Sequence, residues 1–187
     1  LYDEYTHAPL TRGEFINRLV LLTGSMAAAL SILPQIEVNA ANMKITPEDD
    51  LFTERVSYPG VPGDMAAYIA RPKADKKYPA IIIIHENRGL NAHIEDVARR
   101  AAKEGYLAVA PNALSAIGAV PGNEDEARQK FQELKAENNL QNFINAFGYL
   151  GVRKDYNGNA GCVGFCWGGA MTNNLAVKIP GLKAAVA

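Results

Sequence analysis

Two short stretches of this sequence carry side chains at spacings that could do chemistry. Gly164-Phe165-Cys166-Trp167-Gly168-Gly169 closes an apolar run over residues 160–165 and opens a helical pattern over 168–178. It has the form G-x-S-x-G with Cys in place of Ser, the pattern of a strand that turns sharply into a helix. Such a turn forces its central residue into a strained backbone that only small neighbours tolerate, which accounts for Gly164 and Gly168. It also lifts the side chain clear of a sheet and aims a helix N-terminus at it, where the dipole and free N–H groups favour a thiolate over a thiol. The chemistry this predicts is nucleophilic attack by Cys166.

The second stretch, His85-Glu86-Asn87-Arg88-Gly89-Leu90-Asn91, follows Ile81-Ile82-Ile83-Ile84. A carboxylate directly after so apolar a run is expensive unless it is paired or reaches solvent. Glu86 is placed to orient or deprotonate a nucleophile across a crevice. The backbone N–H of Asn87 would join that of Trp167 in an oxyanion hole. The plain alternative is a loop carboxylate paired with Arg88 or Arg99.

Competing readings of these residues fail on spacing. A phosphate loop would need Lys and Ser/Thr after Gly169, where Ala170 and Met171 stand. The glycines do not fit the dinucleotide fingerprint G-x-G-x-x-G. Cys162 lies four residues before Cys166. On an extended strand their Cα atoms would be about 13 Å apart, and a disulfide needs less than about 7 Å, so Cys162 reads as a core residue. His85, Glu86 and His93 do not form H-E-x-x-H and straddle a strand end and a helix start, so no metal site is expected.

The elements that must position these residues alternate in type. Residues 51–58 and 65–71 read as two strands joined by the Pro/Gly-rich connection 59–64, a hairpin. Residues 80–84 form an unbroken β-branched run, the mark of a strand buried on both faces. Asn91 caps a helix whose apolar stripe is Ile94, Val97, Ala98, Ala101 and Ala102, and Gly105 stops it. Residues 106–110 are another short strand and 111–123 a loop. A helix over 124–136 begins acidic and ends basic, and Leu140, Phe143, Ile144 and Phe147 mark the apolar face of the next. The strand 160–165, the helix 168–178 and a last strand over 183–187 complete the pattern. Strand and helix in alternation with buried strands predict a mostly parallel α/β sheet with helices on both faces, made mixed by the hairpin. Ligands in such sheets gather at the carboxyl ends of the strands, where both stretches lie.

The first fifty residues differ. Arg12 and Arg18 flank the start of an apolar run over 19–33 that Pro34 closes, too short to span a bilayer as a helix. Basic residues, a short apolar stretch and then Val38-Asn39-Ala40-Ala41 follow the layout of an export signal. Thr11-Arg12-Gly13-Glu14-Phe15-Ile16 resembles a twin-arginine signal with Gly13 in place of the second Arg, which tilts the reading from the periplasm toward the cytoplasm. The alternative is a packed N-terminal helix. The division expected is an extension over 1–50 and a domain over 51–187. His7 sits in the leading tail. With 19 basic against 20 acidic residues, nothing in the charge balance argues for nucleic acid. Two cysteines make no disulfide framework.

From about Thr53 to Ala187 the chain resembles the dienelactone hydrolase (carboxymethylenebutenolidase) family of the α/β-hydrolase fold. The resemblance rests on residues 81–91, the following helix through Arg99 and Gly105, Val109-Ala110-Pro111, and residues 164–169. It implies a Cys-His-Asp triad with Cys166 as nucleophile, and Glu86 as the carboxylate that holds or releases the thiol in the resting enzyme. The implied reaction is hydrolysis of a lactone or small ester through a thioester, the oxyanion held by the Asn87 and Trp167 N–H groups, with no cofactor. The family's Asp and His follow the strand that begins near Lys183, whereas the three His here all precede Cys166. The expectation is therefore that this chain is the N-terminal portion of the domain, its missing acid and His lying on a C-terminal remainder. Two other functions compete: a non-catalytic binding protein of the same fold, and an acyl carrier or peroxide sensor that uses the thiol alone.

Overall fold

The computed structural model describes residues 12–36 and 45–187. The chain divides into two compact units, Leu1–Ile45 and Thr46–Ala187. In the first, helix α1 (Arg12–Thr23) and helix α2 (Met26–Ile36) are separated at Gly24, which has φ +79°. The Ser25 hydroxyl accepts the Ala28 N–H at 3.1 Å and caps α2. Phe15, Leu19 and Ala29 are buried together. Pro34 lies within the last turn of α2. Among the described residues no helix is long and apolar enough to cross a membrane. The small-residue stretch 38–41 and His7 lie outside the described residues.

The second unit is a six-stranded sheet. Strands β1 (Leu51–Tyr58) and β2 (Met65–Pro72) form the expected hairpin, paired from Leu51↔Pro72 to Tyr58↔Met65. Then follow β3 (Tyr78–Ile84), α3 (Ala92–Lys103), β4 (Leu107–Asn112), α4 (Glu124–Phe131), α5 (Ala136–Gly151), β5 (Tyr156–Gly164), α6 (Trp167–Lys178) and β6 (Ala184–Val186). The strand order is β1-β2-β4-β3-β5-β6. β2 meets both its neighbours antiparallel and the other pairings are parallel. Alternate residues of each strand serve opposite faces. Ile82, Ile84, Val109 and Cys162 pack beneath Phe143 and Leu150 of α5 and Met171 and Leu175 of α6. Tyr68, Ile83, Ala108 and Ala110 pack beneath Ile94, Ala98 and Ala102 of α3. Each fully buried Ile contributes roughly 1.5–3 kcal/mol, so the isoleucine run anchors both layers.

Two expectations shift. The loop over 111–123 is shorter, because Pro111 and Asn112 extend β4 by pairing with Ala67 and Ala66. The Asn112 side chain then accepts the Leu114 N–H and opens a 3-10 helix, Ala113–Ile117. The helix over 124–136 ends at Phe131. There the N–H groups of Gln132, Glu133 and Leu134 bond three residues back, which tightens the chain before α5 starts. The second unit begins at Thr46, and residues 46–50 are tied to α3 and β2. The Thr46 N–H reaches the Asp96 carboxylate at 2.6 Å, and Glu48 accepts from the Tyr68 hydroxyl and Arg99.

Candidate active site

β3 and β5 lie side by side and parallel, with Ile84 opposite Gly164, and the Phe165 N–H donates to the Ile84 carbonyl at 3.1 Å. Glu86 and Cys166 therefore each stand two residues past one rung, on strands about 4.8 Å apart. The turn from β5 into α6 is as sharp as the glycines foretold. Cys166, at the N-cap of α6, has φ 53° and ψ −113°, the one non-glycine residue with positive φ among the described residues. A Cβ on Gly164 would sit 2.0 Å from the Gly168 carbonyl oxygen. One on Gly168 would sit 2.5 Å from the Ile84 oxygen and 2.7 Å from the His85 oxygen. Both positions thus exclude any side chain. The Cys166 thiol is exposed, whereas Cys162 is buried in the core and burial pushes its thiol pKa up.

At the end of β3, Glu86 is half-buried. Among the described residues its carboxylate takes part in no hydrogen bond or ion pair. The two arginines that could have satisfied it are engaged elsewhere: Arg88 pairs with Glu124, and Arg99 with Glu48 and Asp96. The loop that carries Glu86 and Asn87 is fixed from below. Gly89 has φ +75°, and a Cβ there would meet the Asn112 and Leu114 side chains within 3 Å. The Asn112 amide oxygen accepts the Leu90 N–H at 3.3 Å. In α6 the Gly168 and Gly169 N–H groups donate to Phe165 and Cys166 carbonyls, at 2.8 and 2.9 Å. The Trp167 N–H, first in the helix, has no carbonyl a turn below it.

His85 has a place that its sequence position alone did not reveal. It is fully buried. Its Nε2 accepts the Ala113 N–H at 3.0 Å, and its Nδ1 lies 2.6 Å from the Glu86 carbonyl oxygen. A backbone N–H can only donate, so the ring proton sits on Nδ1 and donates to Glu86. The imidazole stacks on Trp167 with centroids 5.6 Å apart and 14° between planes, and meets Phe131 and Phe143 edge-on. Burial drives its pKa down to about 4, more than its backbone bonds raise it. Both nitrogens are thus occupied, and neither a metal nor a substrate proton has a lone pair to use. His93 is exposed on α3. Among the described residues no group of three or more His, Cys, Asp or Glu side chains could hold a metal. The one signal that could have flagged His85 was a ring directly after four isoleucines, where an unsatisfied imidazole would be costly.

With this geometry in view, the chain can be set beside the known proteins it is similar to. A model of the dienelactone hydrolase family matches residues 65–187. A hydrolase fragment of Escherichia coli K12, named by inference, is 44% identical over 94 residues, covering 49% of this chain and 80% of the fragment. A Methylorubrum extorquens protein named by inference as a carboxymethylenebutenolidase is 31% identical over 178 residues, 92% of this chain and 60% of that one. Among solved structures, a Klebsiella pneumoniae protein assigned by inference as a dienelactone hydrolase superposes with a TM-score of 0.63 at 31% identity. That superposition covers 72% of this chain and 58% of the other. The chain therefore spans about three-fifths of the length of these last two relatives.

Proposed function

This chain belongs to the dienelactone hydrolase family, and from that premise we propose that its protein hydrolyses a lactone or small carboxylic ester with Cys166 as nucleophile. The observation that carries the reading is the backbone of Cys166. A non-glycine residue held at φ 53° on an exposed turn costs of order 1–3 kcal/mol, and such strain collects where the conformation is itself useful. Here it makes a nucleophile elbow that presents a thiol to solvent at the N-terminus of α6.

In the proposed sequence the Cys166 thiolate attacks the acyl carbon, forming a C–S bond and a tetrahedral oxyanion. The Asn87 and Trp167 N–H groups hold that oxyanion. The C–O bond to the leaving group then breaks, and the departing oxygen takes a proton. Water next attacks the thioester, releasing the acid and restoring the thiol. Glu86, one strand over and without a salt-bridge partner among the described residues, is the carboxylate that holds or frees the thiol between turnovers. The acid and His that activate the water are proposed to lie on sequence that follows Ala187. The relatives' greater length supports this.

The test uses the full-length protein and p-nitrophenyl acetate. Iodoacetamide and Cys166→Ala should each abolish turnover, and Cys162→Ala should leave it within about two-fold. Turnover that survives in Cys166→Ala overturns the reading. Alkylation or peroxide oxidation of Cys166 in a protein with no ester turnover would favour the carrier or sensor reading instead.

A further inference from the structure

The bonds of His85 form a line with a direction. The Ala113 N–H donates to Nε2, the ring carries its proton on Nδ1, and Nδ1–H donates to the Glu86 carbonyl. That carbonyl shares one planar trans peptide group with the Asn87 N–H, so the two point in opposite directions. Pinning the Glu86 oxygen toward the imidazole therefore turns the Asn87 N–H away from it, and planarity leaves that N–H no freedom to swing. We propose that His85 is a positioning residue: it aims and polarises the Asn87 N–H as an oxyanion donor. The inference deepens the hydrolase reading and rests on it for the donor's use.

Three features of the structure support this over a merely space-filling ring. First, the imidazole touches the elements that deliver both proposed donors, the Glu86–Asn87 peptide by its hydrogen bond and Trp167 by its stacked face. The backbone oxygen of the same residue lies where Gly168 must have no side chain. Second, the tautomer is fixed, because Nε2 faces a donor from β4's end that it can only accept. Third, the ring is enclosed by Phe131, Phe143 and Trp167, with no water-facing edge, so the bonds are made in a low-dielectric setting where chains of hydrogen bonds strengthen one another. Phe or Leu would fill this space equally well, but only a ring with one donor and one acceptor edge completes the line.

The experiment compares His85→Leu and His85→Asn with wild type in the full-length protein, the Asn amide being able to supply the Nδ1-like donor. Three readouts are needed: kcat and KM for p-nitrophenyl acetate, the iodoacetamide rate at Cys166, and the backbone amide signal of Asn87 by 15N NMR. His85→Leu should lower kcat about 10- to 100-fold, short of the roughly 100- to 1000-fold loss that follows deletion of an oxyanion donor. KM should change less than about three-fold, and alkylation, which develops no oxyanion, should stay within about two-fold. His85→Asn should recover at least part of kcat. The Asn87 amide signal should move in Leu and return toward its wild-type position in Asn. Far-UV circular dichroism and urea unfolding report whether each variant keeps its fold. Unchanged kcat in a folded His85→Leu overturns the proposal, as does a loss of kcat that alkylation matches. If wild type itself shows no turnover, the hydrolase reading falls, and the Asn87 signal alone decides: movement upholds the aiming and its absence overturns it.

Discussion

Asp155 and Glu86 are carboxylates beside the same pair of strands, at opposite ends. Asp155 directly precedes β5 and accepts from Arg71 Nε at 2.8 Å and from Arg153 Nε at 2.9 Å, while its own carbonyl takes the Tyr78 N–H that starts β3. Arg153 also reaches Glu54 and the Tyr149 hydroxyl. Glu86, just past β3, has none of this among the described residues. Around Asp155 the charges at the amino end of the sheet are thus paired with one another, and the carboxyl end leaves the Glu86 carboxylate unpaired beside the strained backbone of Cys166. A cleft of about 660 Å³ lies at the amino end, walled by Phe52, Arg71, Tyr149, Arg153 and Asp155. Of its wall charges, Arg71, Arg153, Asp155 and Glu54 are already paired, so the size of a hollow is a poorer guide to chemistry here than the state of the groups around it.

The sharpest way to break the comparison is to show that the carboxyl end is loosely built. It should not be. Gly164→Ala would place a methyl carbon 2.0 Å from a backbone oxygen that cannot yield. We expect a loss of about 4 kcal/mol or more, or no folded protein at all. Urea unfolding measures it, and a loss under about 1 kcal/mol would mean the turn can open.

Next in size is Asp155→Ala. It strands two largely buried guanidiniums, and the expected loss is about 2–3 kcal/mol at pH 7. The pH dependence has a definite sign. Burial raises the Asp155 pKa, but the hydrogen bonds from Arg153 and the charges of Arg153 and Arg71 outweigh it, and the folded value lies below the ordinary one. A depressed carboxylate contributes stability that is present above the unfolded pKa, about 4, and lost as pH falls through the folded value. The deficit of Asp155→Ala against wild type should therefore shrink below pH 4. A deficit constant from pH 7 to pH 3 would show that the carboxylate's charge is not what holds this end.

How much of this contrast the sequence displays differs between the two ends. The carboxyl end is legible because its constraints are local. Gly164 and Gly168 flank one residue, a run of isoleucines ends at a carboxylate, and both spacings have a physical cause that needs no partner. The strands β1 to β3 and the cap at Asn91 are legible for the same reason. The network around Asp155 is not, since Arg71, Glu54 and Arg153 lie far apart in the chain and meet only when the assembled sheet brings β1, β2 and the start of β5 together. The role of His85 fails in the same way, because its acceptor bond comes from Ala113, 28 residues on. Pro111 and Asn112 read as loop residues until β2 pairs with them. Long-range pairing overrides local propensity in each case.

A smaller effect of opposite sign sharpens the comparison at Cys166. Cys166→Gly removes the cost of φ 53° for a residue with a Cβ, of order 1–3 kcal/mol, against a backbone entropy cost of roughly 0.5–1 kcal/mol. The variant should be about 1 kcal/mol more stable than wild type and inactive. A destabilised Cys166→Gly would mean that the thiol contributes packing that exceeds the strain.

Glu86→Gln carries the smallest expected change in stability, and it decides whether the two ends differ in kind. The side chains are nearly isosteric, and the wild-type carboxylate has no salt bridge to lose among the described residues, so stability at pH 7 should move by less than about 0.5 kcal/mol. That is a fraction of the Asp155→Ala loss from a carboxylate just before the neighbouring strand. The effect should surface in the thiol instead. A carboxylate across one rung from Cys166 repels an incoming anion, and an amide does not. Alkylation of Cys166 by the anionic iodoacetate should therefore be faster in Glu86→Gln than in wild type, while alkylation by the neutral iodoacetamide changes less. Rates with the two reagents at one pH give the answer. An unchanged ratio of the two rates would mean that the Glu86 charge does not reach the thiol, and a loss of stability near 2 kcal/mol would place Glu86 with Asp155 among the groups that hold the sheet together.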